Sequence, residues 1–93
     1  MITRMLAQAE VELERAFDHY QIQREGLGLE LLDEFRRGVE SVLQYPAAWQ
    51  RLDDIYRRYR LHRFPYGIVY RVSEDELMIV AFMHMSQEPG YWQ

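Results

Sequence analysis

Hydrophobic residues recur every three or four positions near the start of the chain, with charged residues between them. This stripe runs from Leu6 to Tyr20 and predicts an amphipathic helix that ends at about Gln23. The few residues before it, from Ile2 to Leu6, are predicted to form a short first strand. The sequence therefore indicates a strand that passes directly into a helix.

A second helical stripe follows a pair of glycines. It predicts a helix from about Leu29 to Tyr45, which ends at Pro46 because proline cannot continue the hydrogen-bond ladder. The stripe is made of Leu32, Phe35, Val39, Val42 and Leu43. Gly26 and Gly28 form only a short break between the two helices, so we expect a helical hairpin.

From Arg57 onward the pattern alternates with a period of two, as in a strand. Tyr59 and Leu61 are predicted to point to one face of this strand and the polar residues to the other. The polar residues are Arg58, Arg60 and His62. Phe64 and Pro65 mark the turn that ends the strand.

Two further strands are predicted beyond this turn. Residues 67–72 are rich in β-formers, and residues 77–83 are apolar at every position, as in a central strand that is covered on both faces. Residues 73–76, a serine followed by three acidic residues, are predicted to form the hairpin loop between them. The predicted fold is α+β, with a short N-terminal strand and a helical hairpin packed on a mostly antiparallel sheet of three to four strands. We expect residues 1–93 to form one domain.

Composition excludes several kinds of site. The chain has no cysteine, so it has no disulfide or thiolate ligand, and it has no zinc-type spacing or glycine-rich phosphate loop. We therefore expect no cofactor and no metal. The first residues do not resemble a signal peptide, and the longest apolar run is too short to cross a bilayer. A cytoplasmic protein without a membrane partner is expected.

All 11 basic residues are arginine, and the net charge is −4. Acidic residues dominate the first half of the chain, whereas arginines are concentrated between Arg51 and Arg71. A guanidinium is suited to carboxylates, phosphates and aromatic faces. The net charge is unfavourable for general binding of nucleic acid, but one face near these arginines is still expected to be positive.

Three segments resemble the RelE/ParE superfamily of bacterial toxins, in the branch described as plasmid stabilisation proteins. The most specific is RFPYGIVYRV at 63–72, and the others are the glycine-bounded stretch 26–35 and the ending His84 followed by PGYW at 89–92. The resemblance implies the toxin of a type II toxin–antitoxin module that inhibits growth. It also implies a cognate antitoxin as partner, with a toxin–antitoxin hetero-oligomer as the assembly.

Two targets are known within this superfamily. RelE-type toxins are ribosome-dependent mRNA endonucleases, and ParE-type toxins inhibit DNA gyrase. The nucleases carry basic residues before the turn, where Arg58 and Arg60 stand, and a terminal tyrosine, for which Tyr91 is the counterpart. Gly67 and Gln87 stand where two further arginines are expected. The resemblance therefore favours a ParE-like toxin that acts by binding and is not an enzyme, with an mRNA endonuclease, or an attenuated member that binds only antitoxin, as alternatives.

Four residues are candidates for catalysis. RNA cleavage needs a group that takes the 2′-hydroxyl proton and cations that stabilise the developing charge. His84 and Tyr91 are candidates for proton transfer, and Arg58 and Arg60 for charge stabilisation. The structural alternative for His84 is a partly buried histidine bonded to the backbone. Gly67 is expected to be an ordinary strand residue on an open face.

Three further residues are candidates for binding a target or partner. Arg63 and Arg71 are candidates for a phosphate- or carboxylate-binding patch, and the alternative is ion pairing within the chain. Trp92 is a candidate for stacking on a base or docking a partner, and the alternative is folding back onto the core. The sequence leaves these alternatives open.

Overall fold

The computed structural model describes residues 1–93 and has two helices and five strands. In chain order these are β1 (Ile2–Met5), α1 (Ala7–Gln23), α2 (Leu27–Gln44), β2 (Gln50–Arg51), β3 (Arg57–Arg60), β4 (Tyr66–Val72) and β5 (Glu76–His84). The predicted α+β class and helical hairpin are confirmed. Strand β2 was not foreseen, because two residues are too few to show an alternation. Neither helix is long and apolar enough to cross a membrane.

The turn between the two helices depends on glycine and on one glutamine side chain. Gly26 has φ +91°, which disfavours any residue with a side chain, and α2 begins directly after it. Gln21 Oε1 accepts hydrogen bonds from the backbone N–H groups of Gly26 (3.2 Å) and Gly28 (3.0 Å). Gly28 lies against Phe17, where a Cβ would come within 2.7 Å of the ring. Helix α2 therefore starts two residues earlier than predicted, with Gly28 inside it.

The strands form one mixed sheet in the order β1-β5-β4-β3-β2. Only β1 and β5 are parallel, and the other neighbours are antiparallel. Arg4 reinforces the parallel pair through an ion pair with Glu76 at 2.7 Å. A bulge at Val69/Tyr70 shifts the register of β4 against β5. The outer edges of the sheet are β1, which is largely exposed, and the two-residue β2.

The two faces of the sheet are covered differently, and this explains the fully apolar strand β5. The helices cover one face, called here the helix face, over a core that includes Leu31, Val42, Tyr59, Ile68, Tyr70 and Phe82. The opposite face, called the tail face, carries Val69, Val80, Ala81 and Met83. Residues 85–93, called the tail, return along this face, and Trp92 packs on it. Strand β5 is therefore buried on both sides, as its composition predicted.

Candidate functional site

Arg58 lies on the tail face, where its head group has only neutral partners. Its Nη2 donates to Gln50 Oε1 at 3.0 Å, and its Nη1 lies 3.7 Å from Met83 Sδ. Its Nε is buried and has no acceptor. Burial, together with the charge of Arg60, lowers the pKa of the Arg58 guanidinium. Arg60 is two residues further along β3, so it points to the same face, and it is exposed.

Gly67 provides the space that the stem of Arg58 occupies. It pairs with Arg60 across β3 and β4, and its backbone has no positive φ. A Cβ at this position would lie 2.8 Å from both Cγ and Cδ of Arg58 and 3.3 Å from Met85 Sδ. The expectation of an ordinary strand conformation is confirmed. The expectation of an open face is wrong, because Arg58 and Met85 cover Gly67, and any added side chain must displace them.

His84 points away from Arg58, toward the helix face. Its chain neighbours Met83 and Met85 both lie on the tail face, and its ring packs edge-on against Tyr66 at 5.1 Å. Its Nδ1 accepts a hydrogen bond from the Ser86 backbone N–H at 3.0 Å. This is the structural alternative foreseen for His84: a half-buried histidine bonded to backbone. His84 and Arg58 therefore do not face a common substrate position.

Tyr91 is held by the first helix. Its hydroxyl donates to Glu12 Oε2 at 2.7 Å, while Glu12 Oε1 accepts from the Phe82 backbone N–H at 3.0 Å. Burial of the hydroxyl and the Glu12 carboxylate raise the pKa of Tyr91 above its usual value. The phenol thus stays protonated and engaged, which does not suit a base in RNA cleavage.

Trp92 folds back onto the sheet. It packs on the tail-face cluster, with its ring edge-on to Tyr56 at 5.6 Å. Its Nε1 is buried and has no acceptor. This packing matches the alternative foreseen for Trp92, and it leaves little of the indole free for stacking on a base.

The remaining two candidates differ in their surroundings. Arg63 is paired with Glu30 at 2.9 Å, and its guanidinium carbon lies 5.4 Å from the centre of the Phe64 ring. Arg71 is exposed and has no ion pair. It lines a cleft of about 290 Å³ beside two exposed apolar residues, Ile55 and Val72. The alternative of ion pairing within the chain therefore holds for Arg63, whereas Arg71 has no ion-pair partner.

A groove between the helices was not foreseen from the sequence. It has a volume of about 280 Å³ and is lined by Glu10, Leu13, Glu14, Phe17 and Leu32. The three apolar residues belong to the helical stripes, and the apolar side of an amphipathic helix is expected to face the core. The hairpin instead leaves their outer edges accessible between two carboxylates. Periodicity identifies the apolar side of each helix, but it does not show how much of that side the other helix covers.

The structure thus does not bring the four catalytic candidates together. Arg58 and Arg60 share the tail face, His84 points to the helix face, and Tyr91 is bound to α1. No group of three or more histidine, aspartate or glutamate residues is placed to hold a metal ion. The surface instead has three features that suit binding. They are the pair of Arg58 and Arg60, the apolar groove with its acidic rim, and the open edge of β1.

The family of ParE toxins of type II toxin–antitoxin systems (parDE) matches residues 4–89, and the chain belongs to this family. The resemblance noted in the sequence is therefore confirmed. No curated protein matches the chain.

Among solved structures, the chain is similar to one described as the chromosomal ParDE TA system from P. aeruginosa. The TM-score is 0.77 at 20% sequence identity, and the alignment covers 90% of this chain and 95% of that chain. At this identity the similarity shows the shared fold. Together with the family match, it identifies the protein as a toxin of the type II class.

Proposed function

We propose that the protein inhibits growth as a ParE-like toxin that binds DNA gyrase in the cytoplasm, and that a cognate antitoxin neutralises it. The observation that carries the proposal is the match to the ParE toxin family over residues 4–89. The fold alone does not distinguish the targets, because related toxins use it for different chemistries. The choice between binding and cleavage therefore depends on the candidate residues.

The arrangement of these residues favours binding over RNA cleavage. General acid–base catalysis requires donor and acceptor groups within hydrogen-bond reach of the same substrate atoms. His84 and Arg58 point to opposite faces, and Tyr91 donates to Glu12. Gln87 stands at a position where the nucleases carry arginine. Its Oε1 accepts a hydrogen bond from the His84 backbone N–H at 2.9 Å, so its side chain satisfies a backbone donor at the end of β5.

The groove between the helices and the edge of β1 support an antitoxin as partner. An apolar groove between helices can hold an amphipathic helix, and an open strand edge can accept an added strand. Glu10 and Glu14 at the groove rim favour basic residues on such a helix. We expect an antitoxin segment that is disordered alone to fold here on binding, which gives a toxin–antitoxin hetero-oligomer.

Induction in growing cells, with and without the neighbouring small open reading frame, tests this function. We expect arrest with the toxin alone, relaxation of plasmid DNA, unchanged mRNA ends, and rescue by the neighbour. Purified toxin should inhibit supercoiling by gyrase in vitro. Codon-dependent mRNA cleavage that Arg60→Ala or His84→Ala abolishes would establish the endonuclease alternative. Antitoxin binding without growth arrest would establish the other alternative, an attenuated member that binds only antitoxin.

A further inference from the structure

The arginines of this protein fall into two groups. Six of the 11 form ion pairs with carboxylates, namely Arg4, Arg24, Arg36, Arg37, Arg51 and Arg63. The other five, Arg15, Arg57, Arg58, Arg60 and Arg71, form none, although the chain has 15 aspartate and glutamate residues. Of these five, Arg58 and Arg60 are two residues apart on one strand and point to the same face. The fold thus places two arginines without a carboxylate partner on one face of β3, close enough for the charge of Arg60 to help lower the pKa of Arg58.

The environment of Arg58 is that of a prepared binding group. The absence of a side chain at Gly67 lets its stem lie against the sheet, and Gln50 orients its head group. Its buried Nε lacks an acceptor, and the thioether sulfur of Met83 near Nη1 is only a weak one. The Arg58 guanidinium has lost hydration on burial and has gained only neutral partners. An anionic acceptor would therefore stabilise it.

The strand that carries the pair is open beside Arg60. Strand β2 pairs only with Arg57 and Arg58, so Tyr59 and Arg60 have no strand neighbour on their outer side. An extended segment can therefore lie along this edge, and alternate side chains of the segment would reach the tail face. The net charge of −4 opposes any polyanion, and it opposes a nucleic-acid backbone, which carries one charge on every nucleotide, more than a peptide segment with a few carboxylates.

We propose that Arg58 and Arg60 form a carboxylate-binding site that receives an extended acidic segment of the neutralising antitoxin. This inference rests on the proposed function, because it names the part of the toxin that the antitoxin's acidic residues contact. Arg58 Nη1 and the exposed guanidinium of Arg60 each take one carboxylate. The site is separate from the groove between α1 and α2, which lies on the other side of the sheet.

The first test measures the affinity of the antitoxin encoded by the neighbouring open reading frame. The double substitution Arg58→Gln and Arg60→Gln should weaken the complex by about tenfold or more, because each lost bond is to a charged group. It should also reduce the dependence of Kd on salt. Arg15→Gln is the matched control, since Arg15 is exposed on α1 and also has no ion pair; it should change Kd by less than about twofold. Equal effects of the double variant and the control would overturn the inference.

A second test uses defined probes and does not need the antitoxin. A hexaglutamate peptide should shift the NMR signal of the Arg58 Nε–H group in the wild type and fail to bind the double variant. Stronger binding of a single-stranded hexauridylate at the same arginines would overturn the inference in favour of a phosphate site. If no antitoxin complex forms at all, the proposed function fails, and the peptide titration still decides whether the carboxylate site exists.

Discussion

Glu12 connects three parts of the chain through one carboxylate. It lies on α1, accepts the backbone N–H of Phe82 in β5, and accepts the hydroxyl of Tyr91 in the tail. Nothing in the sequence indicates this role, because Glu12 is one of several acidic residues near the start of a helix and its partners are 70 and 79 positions away. In contrast, the alternation along β3 predicts directly that Arg58 and Arg60 point to the same face of the sheet.

Glu12→Gln should loosen the tail. The amide keeps one oxygen for the Phe82 N–H and presents an NH2 group to Tyr91, so the bond that the Tyr91 hydroxyl donates to a carboxylate is replaced by a weaker neutral one, at a cost of about 1 kcal/mol. We expect a lower Tm and faster hydrogen exchange over residues 85–93. Glu14→Gln, an exposed glutamate on the same helix, is the control. If the two variants unfold and exchange alike, the Tyr91 contact does not hold the tail.

Tyr70 makes stability depend on alkaline pH. Its buried hydroxyl donates to the Pro46 carbonyl at 2.7 Å, and burial raises the pKa of Tyr70 to about 12. Because this folded pKa lies above the unfolded value of about 10, the contribution to stability is fully present below pH 10 and is lost as pH rises toward 12. Denaturant unfolding at several pH values should show this loss. Tyr70→Phe should make the decline shallower, and an unchanged slope would contradict the assignment.

The elements differ in how far their sequences determine them. Helices α1 and α2 and strands β4 and β5 have strong periodic patterns, and the sequence predicted them to within a few residues. Strand β2 was not predicted, and for Trp92 in the tail the sequence left folding back and binding a partner as alternatives. Both features depend on contacts with distant residues, since Gln50 pairs with Arg58 and Trp92 packs on the tail-face cluster. Periodicity reports which side of an element is apolar, and not what covers it.

The packing of α2 on the sheet depends on Gly38. A Cβ at this position would lie 2.8 Å from the Tyr59 ring and 3.0 Å from Ile68 Cδ1. Gly38→Ala should therefore lower the free energy of unfolding by about 1–3 kcal/mol through overpacking, despite the higher helix propensity of alanine. Gln44→Ala at the exposed end of the same helix is the control. A Gly38→Ala variant as stable as the control would show that the helix can move away at little cost.

The two sides of the sheet differ in the charge of their candidate binding surfaces. The helical layer carries the acidic rim of the groove, and β3 carries arginines without counter-charges on the tail face. A partner that engages both sides needs basic residues for the first and acidic residues for the second. This distribution of charge fixes the orientation of the bound partner, because the reversed orientation would bring like charges together.

Binding of the antitoxin should stabilise the whole fold. A ligand that binds only the folded state at a hundred times its Kd adds about 2.7 kcal/mol to the free energy of unfolding. For a chain of this size, the Tm should rise by about 10 °C or more. Calorimetry at several antitoxin concentrations measures the shift, with an unrelated protein of similar charge as control. A Tm that does not depend on antitoxin concentration would rule out a tight complex.

The parallel pairing of β1 with β5 has a consequence for synthesis of the toxin. Ile2 leaves the ribosome well before its strand partner Glu76, and β5, which carries Glu76, is also the neighbour of β4. The helical hairpin emerges long before the central strand that it covers has been made. Pairings between distant segments also form slowly. The sheet therefore cannot be completed before β5 has been made, and an antitoxin synthesised nearby has this interval in which to meet the toxin as it folds.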